Sequence, residues 1–163
     1  MTIRGTLTLG GVFLALCAYL VLTRPDATPP APGASQLTPP LGGATTVEIG
    51  RGAGTNRIVR RDGAWSEPGV ADLLDGLASL PVLGVIDPAP SDPALYGFGS
   101  DALRLRVLSD GGELAAIEVG ALNPAETGVY VRRLGQAPVL LVGALLHWEL
   151  EKLRRVVSTT TSP

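Results

Sequence analysis

The run IRGTLTLGGVFLALCAYLVLT, Ile3 to Thr23, constrains this chain more than any other feature, because it carries a single charge, Arg4, and has no polar face to leave in water. At a helical rise of about 1.5 Å per residue it reaches about 30 Å, the hydrocarbon thickness of a bilayer. The expectation is one transmembrane helix over residues 1–23, kept as a signal anchor. A cleaved signal peptide needs a pair of small residues just before the cut, and Leu20 to Arg24 offers none. A lipoprotein would acylate Cys17, but Leu16 precedes it and apolar residues follow. Arg4 and the amino terminus favour a cytoplasmic start. That makes a single-pass protein of the inner (cell) membrane, its C-terminal domain periplasmic or otherwise extracytoplasmic. Gly11, Ala15 and Ala18 share one face of the helix, a candidate strip for helix–helix packing.

Residues 24–43 form the next segment, carrying Pro25, Pro29, Pro30, Pro32, Pro39 and Pro40 among Ala, Thr, Gly and Ser. Such a composition favours extended polyproline conformations and reads as a linker. At about 3.1 Å per residue it holds the domain up to about 60 Å from the membrane. Residues 44–157 then make one α+β domain, and 158–163 a disordered tail.

Within that domain the pattern has a period of two, broken by turn residues. Thr45 to Arg51 and Asn56 to Arg61 read as strands around GRGAG, and Asp62-Gly63 turns into Ala64 and Trp65. From Val70 to Leu80 the period changes: Leu73, Leu74, Leu77 and Leu80 share a helical face opposite Asp72, Asp75 and Ser79. Val82 to Ile86 reads as a strand before the breaker-rich DPAPSDP. Leu103, Leu105 and Val107 then alternate with Arg104 and Arg106, SDGG turns, and Leu114 to Val119 returns. Val129 to Arg133 and Val139 to Val142 add strands, and Gly143 to Val157 closes as a helix on which Leu146, Leu150, Leu153 and Val157 share a face. Glu151 and Arg155 are spaced as an i,i+4 ion pair on its solvated side. The fold class is α+β: a mainly antiparallel sheet of hairpins with two packed helices, preceded by one transmembrane helix.

Chemistry is sparse. Thirteen basic residues against fifteen acidic ones give a net charge of −2, so no global field draws nucleic acid. The only histidine, His147, is read as a packing or boundary residue, and without a serine elbow, cysteine or histidine cluster the residues point to no catalytic, cofactor-binding or metal site. GRGAG lacks the GK[ST] of a phosphate loop and sits in a hairpin. Asp87, Asp92 and Asp101 surround the breaker-rich loop, where a carboxylate pair or a Ca²⁺ site competes with plain turn formation. With Tyr96 and Phe98 these three acids make the candidate partner or ligand surface.

Several pieces in order and spacing resemble a bacterial family, domain-of-unknown-function family 4340. They are RRDGAW, Pro68 with Ala71-Asp72 opening a Leu-rich helix, YGF at Tyr96 to Phe98, LRLRVLSDGGELAAIEVG, and GVYVR at Gly128 to Arg132. The resemblance spans Thr46 to Arg155; Phe98 stands where the pattern more often has Leu. It implies an N-terminal membrane helix and the company of gliding-motility-associated ABC-transporter auxiliary proteins, and it carries no catalytic residues. Residues and resemblance together point to a non-enzymatic, membrane-anchored interaction or scaffold domain, an accessory subunit of a membrane protein complex in the bacterial envelope, whose partners are the bilayer and other envelope proteins. The alternatives are a small-ligand or cell-wall-binding domain, and a transporter or motility auxiliary component.

Overall fold

The computed structural model describes residues 36–160; the expected membrane helix, with Gly11, Ala15 and Ala18, lies outside them. Among the described residues no helix is long and apolar enough to cross a membrane.

The alternating segments become eight strands. β1 (Thr46–Arg51), β2 (Gly54–Arg61) and β3 (Ala64–Trp65) form a first meander. Helix α1 (Val70–Ser79) follows, then β4 (Gly84–Asp87) and a 3-10 turn at Pro93–Tyr96. A second meander comprises β5 (Leu103–Ser109), β6 (Gly112–Leu122), β7 (Gly128–Arg133) and β8 (Val139–Gly143), and α2 (Leu145–Thr160) closes the chain. All the strands join one sheet in the order β3-β2-β1-β5-β6-β7-β8-β4, every neighbour antiparallel. α1 carries the chain from one edge of the sheet to the other, so that β4 pairs with β8.

Register turns alternation into rows. Ile58, Val47 and Val107 stand side by side across β2, β1 and β5; Ile49, Leu105 and Ile117 across β1, β5 and β6; and Leu103, Val119, Val131 and Leu140 across the last four strands of the main run. These residues form one buried cluster with Val70, Leu74 and Leu77 of α1 and Leu146, Leu150, Leu153 and Val157 of α2. Each such side chain contributes about 1.5–3 kcal/mol on burial. The helices seal this face because their apolar stripes have no other surface to cover.

Three expectations change. The packed body begins before Ala44: Leu37 and Leu41 are buried in the same core, the Leu37 amide donates to the Leu80 carbonyl at 3.1 Å, and Gln36 bridges Pro81. The final helix extends to Thr160, beyond Val157. Glu151 is also not on a solvated side. It is 9% exposed and accepts from Arg51, a hundred residues away at the end of β1, and from Arg154 at 3.2 Å. The carboxylate thus ties α2 to the sheet as well as pairing along the helix.

Among the described residues no α-helix covers the opposite face of the sheet. The segment between β4 and β5 lies across part of it, over β6, and the approach is close. A Cβ on Gly120 would stand 2.1 Å from the Tyr96 carbonyl oxygen and 3.1 Å from the Phe98 ring, so only glycine lets the loop settle there.

Candidate functional site

What α1 and α2 leave open is a charged surface with the same strict register as the core. Arg57, Glu48 and Arg106 are cross-strand partners on β2, β1 and β5, and they alternate in sign. Glu48 accepts from Arg57 Nε at 3.0 Å and Nη2 at 2.6 Å, and Arg106 Nη1 lies 3.8 Å away. Arg106 Nε also donates to Glu113 on β6 at 2.8 Å, which raises the Arg106 guanidinium above its already high ordinary pKa. This row is half in solvent, where each pair adds little stability.

The second row is different. Arg104, Glu118 and Arg132 are partners across β5, β6 and β7. Glu118 is 1% exposed, although it sits on the face without helices. Both of its oxygens are engaged: Oε1 takes Nε and Nη2 of Arg104 at 3.2 Å, and Oε2 takes Nε of Arg132 at 2.6 Å and Nη2 at 2.5 Å. Two forked guanidiniums therefore replace the water that a buried carboxylate would otherwise lose. Arg132 is held in turn by Phe98, whose ring centroid lies 4.8 Å from the guanidinium carbon.

A groove of about 610 Å³ opens over these rows, lined by Glu48, Gly50, Thr55, Arg104, Arg106, Glu118 and Arg132 together with Gly52, Leu134 and Gly135. A second hollow, about 410 Å³, lies between the helices around Gly76, Leu73 and Leu145.

The residues expected to form a partner or ligand surface do not gather into one site. Tyr96 and Asp87 meet, the phenol donating to Oδ2 at 3.1 Å, and this bond is the main reason the Tyr96 hydroxyl is pushed above its ordinary pKa. Tyr96 also meets Tyr130 edge-on, with centroids 5.2 Å apart. Asp87 caps the Ala89 amide and Asp92 the Ala94 amide, each at 3.0 Å, as turn-forming aspartates do. Asp101 lies by the β1–β2 turn, its Oδ1 4.0 Å from where a Cβ on Gly52 would be. Among the described residues no three His, Cys, Asp or Glu side chains converge as a metal ion requires. Phe98 is 3% exposed, so it supports the surface from below and is not itself displayed. His147 packs edge-on against Trp148 at 5.0 Å, on the helix side of the molecule.

The signal that was available for the charged rows is the alternation itself. Arg104 and Arg106 share one side of β5 and Glu118 one side of β6. What the alternation does not give is which strands stand next to each other.

An eight-stranded antiparallel sheet, sealed by two helices on one face and charged on the other, defines an α+β domain. The family model described as "Domain of unknown function (DUF4340)" matches residues 66–160, and the chain belongs to that family. The match holds Phe98, Arg104, Arg106, Glu118 and Arg132, and begins after RRDGAW and the β1–β2 hairpin, so it is shorter than the resemblance from Thr46. No curated protein and no solved structure matches the chain.

Proposed function

We propose that this chain is a membrane-anchored, non-enzymatic interaction module. It works on the outer side of the membrane as an accessory subunit of an envelope protein complex, with the open face of the sheet as its working surface. The observation that carries the reading is the unequal treatment of the two faces: the helices spend their whole apolar stripes on one, while the other keeps an ordered set of charges beside a groove. An apolar anchor and a proline-rich linker in the sequence favour a domain held at a fixed address and free to reach. A transporter or motility complex suits such a subunit, in line with the company the family resemblance implies.

The reading is tested by affinity purification of the full-length protein from membranes in mild detergent. It expects envelope proteins to co-purify and to be lost when Arg57 and Arg106 are both replaced by Glu. Repeated recovery of the protein alone would remove it.

A further inference from the structure

Helix α2 spends one apolar stripe on the sheet and carries a second line of side chains in solvent. Leu146, Leu150, Leu153 and Val157 are buried, whereas Leu145, Glu149, Lys152 and Val156, each one residue earlier, are exposed. Spacings of four, three and four keep these four in one line along the helix, as in the seam of a coiled coil. Leu145 is 69% exposed and Val156 43%, so both ends of the line hold apolar area that the fold itself does not bury. Lys152 is the chain's only lysine. It stands three residues from Glu149, yet among the described residues neither side chain forms an ion pair, while Glu151 beside them is engaged by Arg51 and Arg154.

This line borders the hollow of about 410 Å³ between the helices, where Leu145, Glu149 and Lys152 share the lining with Leu73 and Gly76 of α1. Val156 continues the lining beside Pro68 and Leu73. Gly76 sits inside α1, where glycine costs about 1 kcal/mol relative to alanine. A Cβ there would meet nothing within 4 Å, so among the described residues no close packing requires it. Its effect is to lower the side of the hollow, which lets another backbone come near.

We infer that a second copy of this chain lays its own α2 antiparallel along this line, making a two-fold homodimer through the helical side. The order apolar, acid, base, apolar selects the occupant, because it complements itself when reversed. A two-fold axis midway between Glu149 and Lys152 sets Glu149 against the second copy's Lys152, and Lys152 against the second copy's Glu149. The same axis sets Leu145 against the second copy's Val156 at both ends. A parallel arrangement would set acid against acid and base against base, so the charges fix the direction. Trp148, 53% exposed on the same helix, adds aromatic area at the margin. Asp75 does not line the hollow and stays outside the contact. Few side chains of each copy are covered, so the dimer is weak and concentration-dependent and not obligate. The open face of each copy remains uncovered, and the inference is independent of what binds there.

The test is sedimentation equilibrium of the full-length protein in density-matched detergent over a range of concentrations, with folding read by circular dichroism. The parent is expected to show a monomer–dimer equilibrium. Glu149→Lys sets lysines against lysines across the axis, and Lys152→Glu sets glutamates against glutamates. Each is expected to raise the dimer dissociation constant at least about tenfold with the fold intact. The double variant Glu149→Lys/Lys152→Glu inverts both pairs and is expected to dimerise as the parent does. Mixing the two single variants is expected to recover dimers containing one chain of each kind, which a reciprocal contact between these two positions requires. A parent that stays monomeric overturns the inference, including where an envelope protein proves to occupy α2 instead. A dimer indifferent to both single substitutions also overturns it and assigns self-association to another part of the chain. So does a dimer that the double variant or the mixture fails to restore.

Discussion

Ile117 and Glu118 are neighbours on β6, 2% and 1% exposed, and they are buried in opposite ways. Ile117 points into rows of Val, Leu and Ile under α2, where burial is favourable by itself. Glu118 points to the face without helices and is buried by two arginines and the loop carrying Phe98, where burial is costly and must be offset by geometry. Depth alone therefore does not identify the core of this sheet. One face is held by shape and apolar area, the other by hydrogen-bond register.

Substitutions that separate the faces should differ in size. Ile117→Ala leaves a cavity on the sealed side and is expected to cost about 2–5 kcal/mol in a urea titration. Glu118→Gln keeps the shape but removes the charge between two guanidiniums. Because Arg104 and Arg132 still reach water, the expected loss is about 1–3 kcal/mol, smaller than for a pair buried on both sides. A loss equal to that of Ile117→Ala would mean the open face is as structural as the sealed one, and the contrast would break.

Tyr96 sharpens the comparison through pH. Its hydroxyl titrates above its ordinary value because the neutral form donates to Asp87. A pKa raised by folding gives a contribution that is complete below the unfolded value, about 10, and is lost as pH rises through the folded one. The unfolding midpoint of the parent should therefore fall on the alkaline side more steeply than that of Tyr96→Phe; parallel curves would place the phenol outside the bond. The smallest effect is expected at Arg57→Ala, where a largely solvated pair with Glu48 is removed, at about 0–1 kcal/mol by the same titration.

Most of the sealed face was legible in the sequence, since a period of two in LRLRVL and a helical period at Leu146, Leu150, Leu153 and Val157 state which side chains turn inward. The strands, both helices and the SDGG turn follow from that. What was not legible depends on partners distant in sequence. The Arg104, Glu118 and Arg132 row needs the order of β5, β6 and β7, and the Arg57, Glu48 and Arg106 row needs β1 to lie between β2 and β5. Leu37 and Leu41 looked like linker because prolines surround them; only the pairing of residue 37 with Leu80 brings them into the core. Asp87, Asp92 and Asp101 are close in sequence, but Asp87 and Asp92 each cap a neighbouring amide while Asp101 lies by the β1–β2 turn.

Under the proposed function the open face, and not the helical one, meets the partner. The direct measurement is site-specific photocrosslinking in intact cells, with the photoreactive residue placed either at Thr55, on the rim of the groove, or at Asp75, on the exposed side of α1. A discrete crosslinked product is expected from Thr55, diminished by Arg104→Gln, and none from Asp75. A product from Asp75 alone, or one from Thr55 indifferent to Arg104, would contradict it.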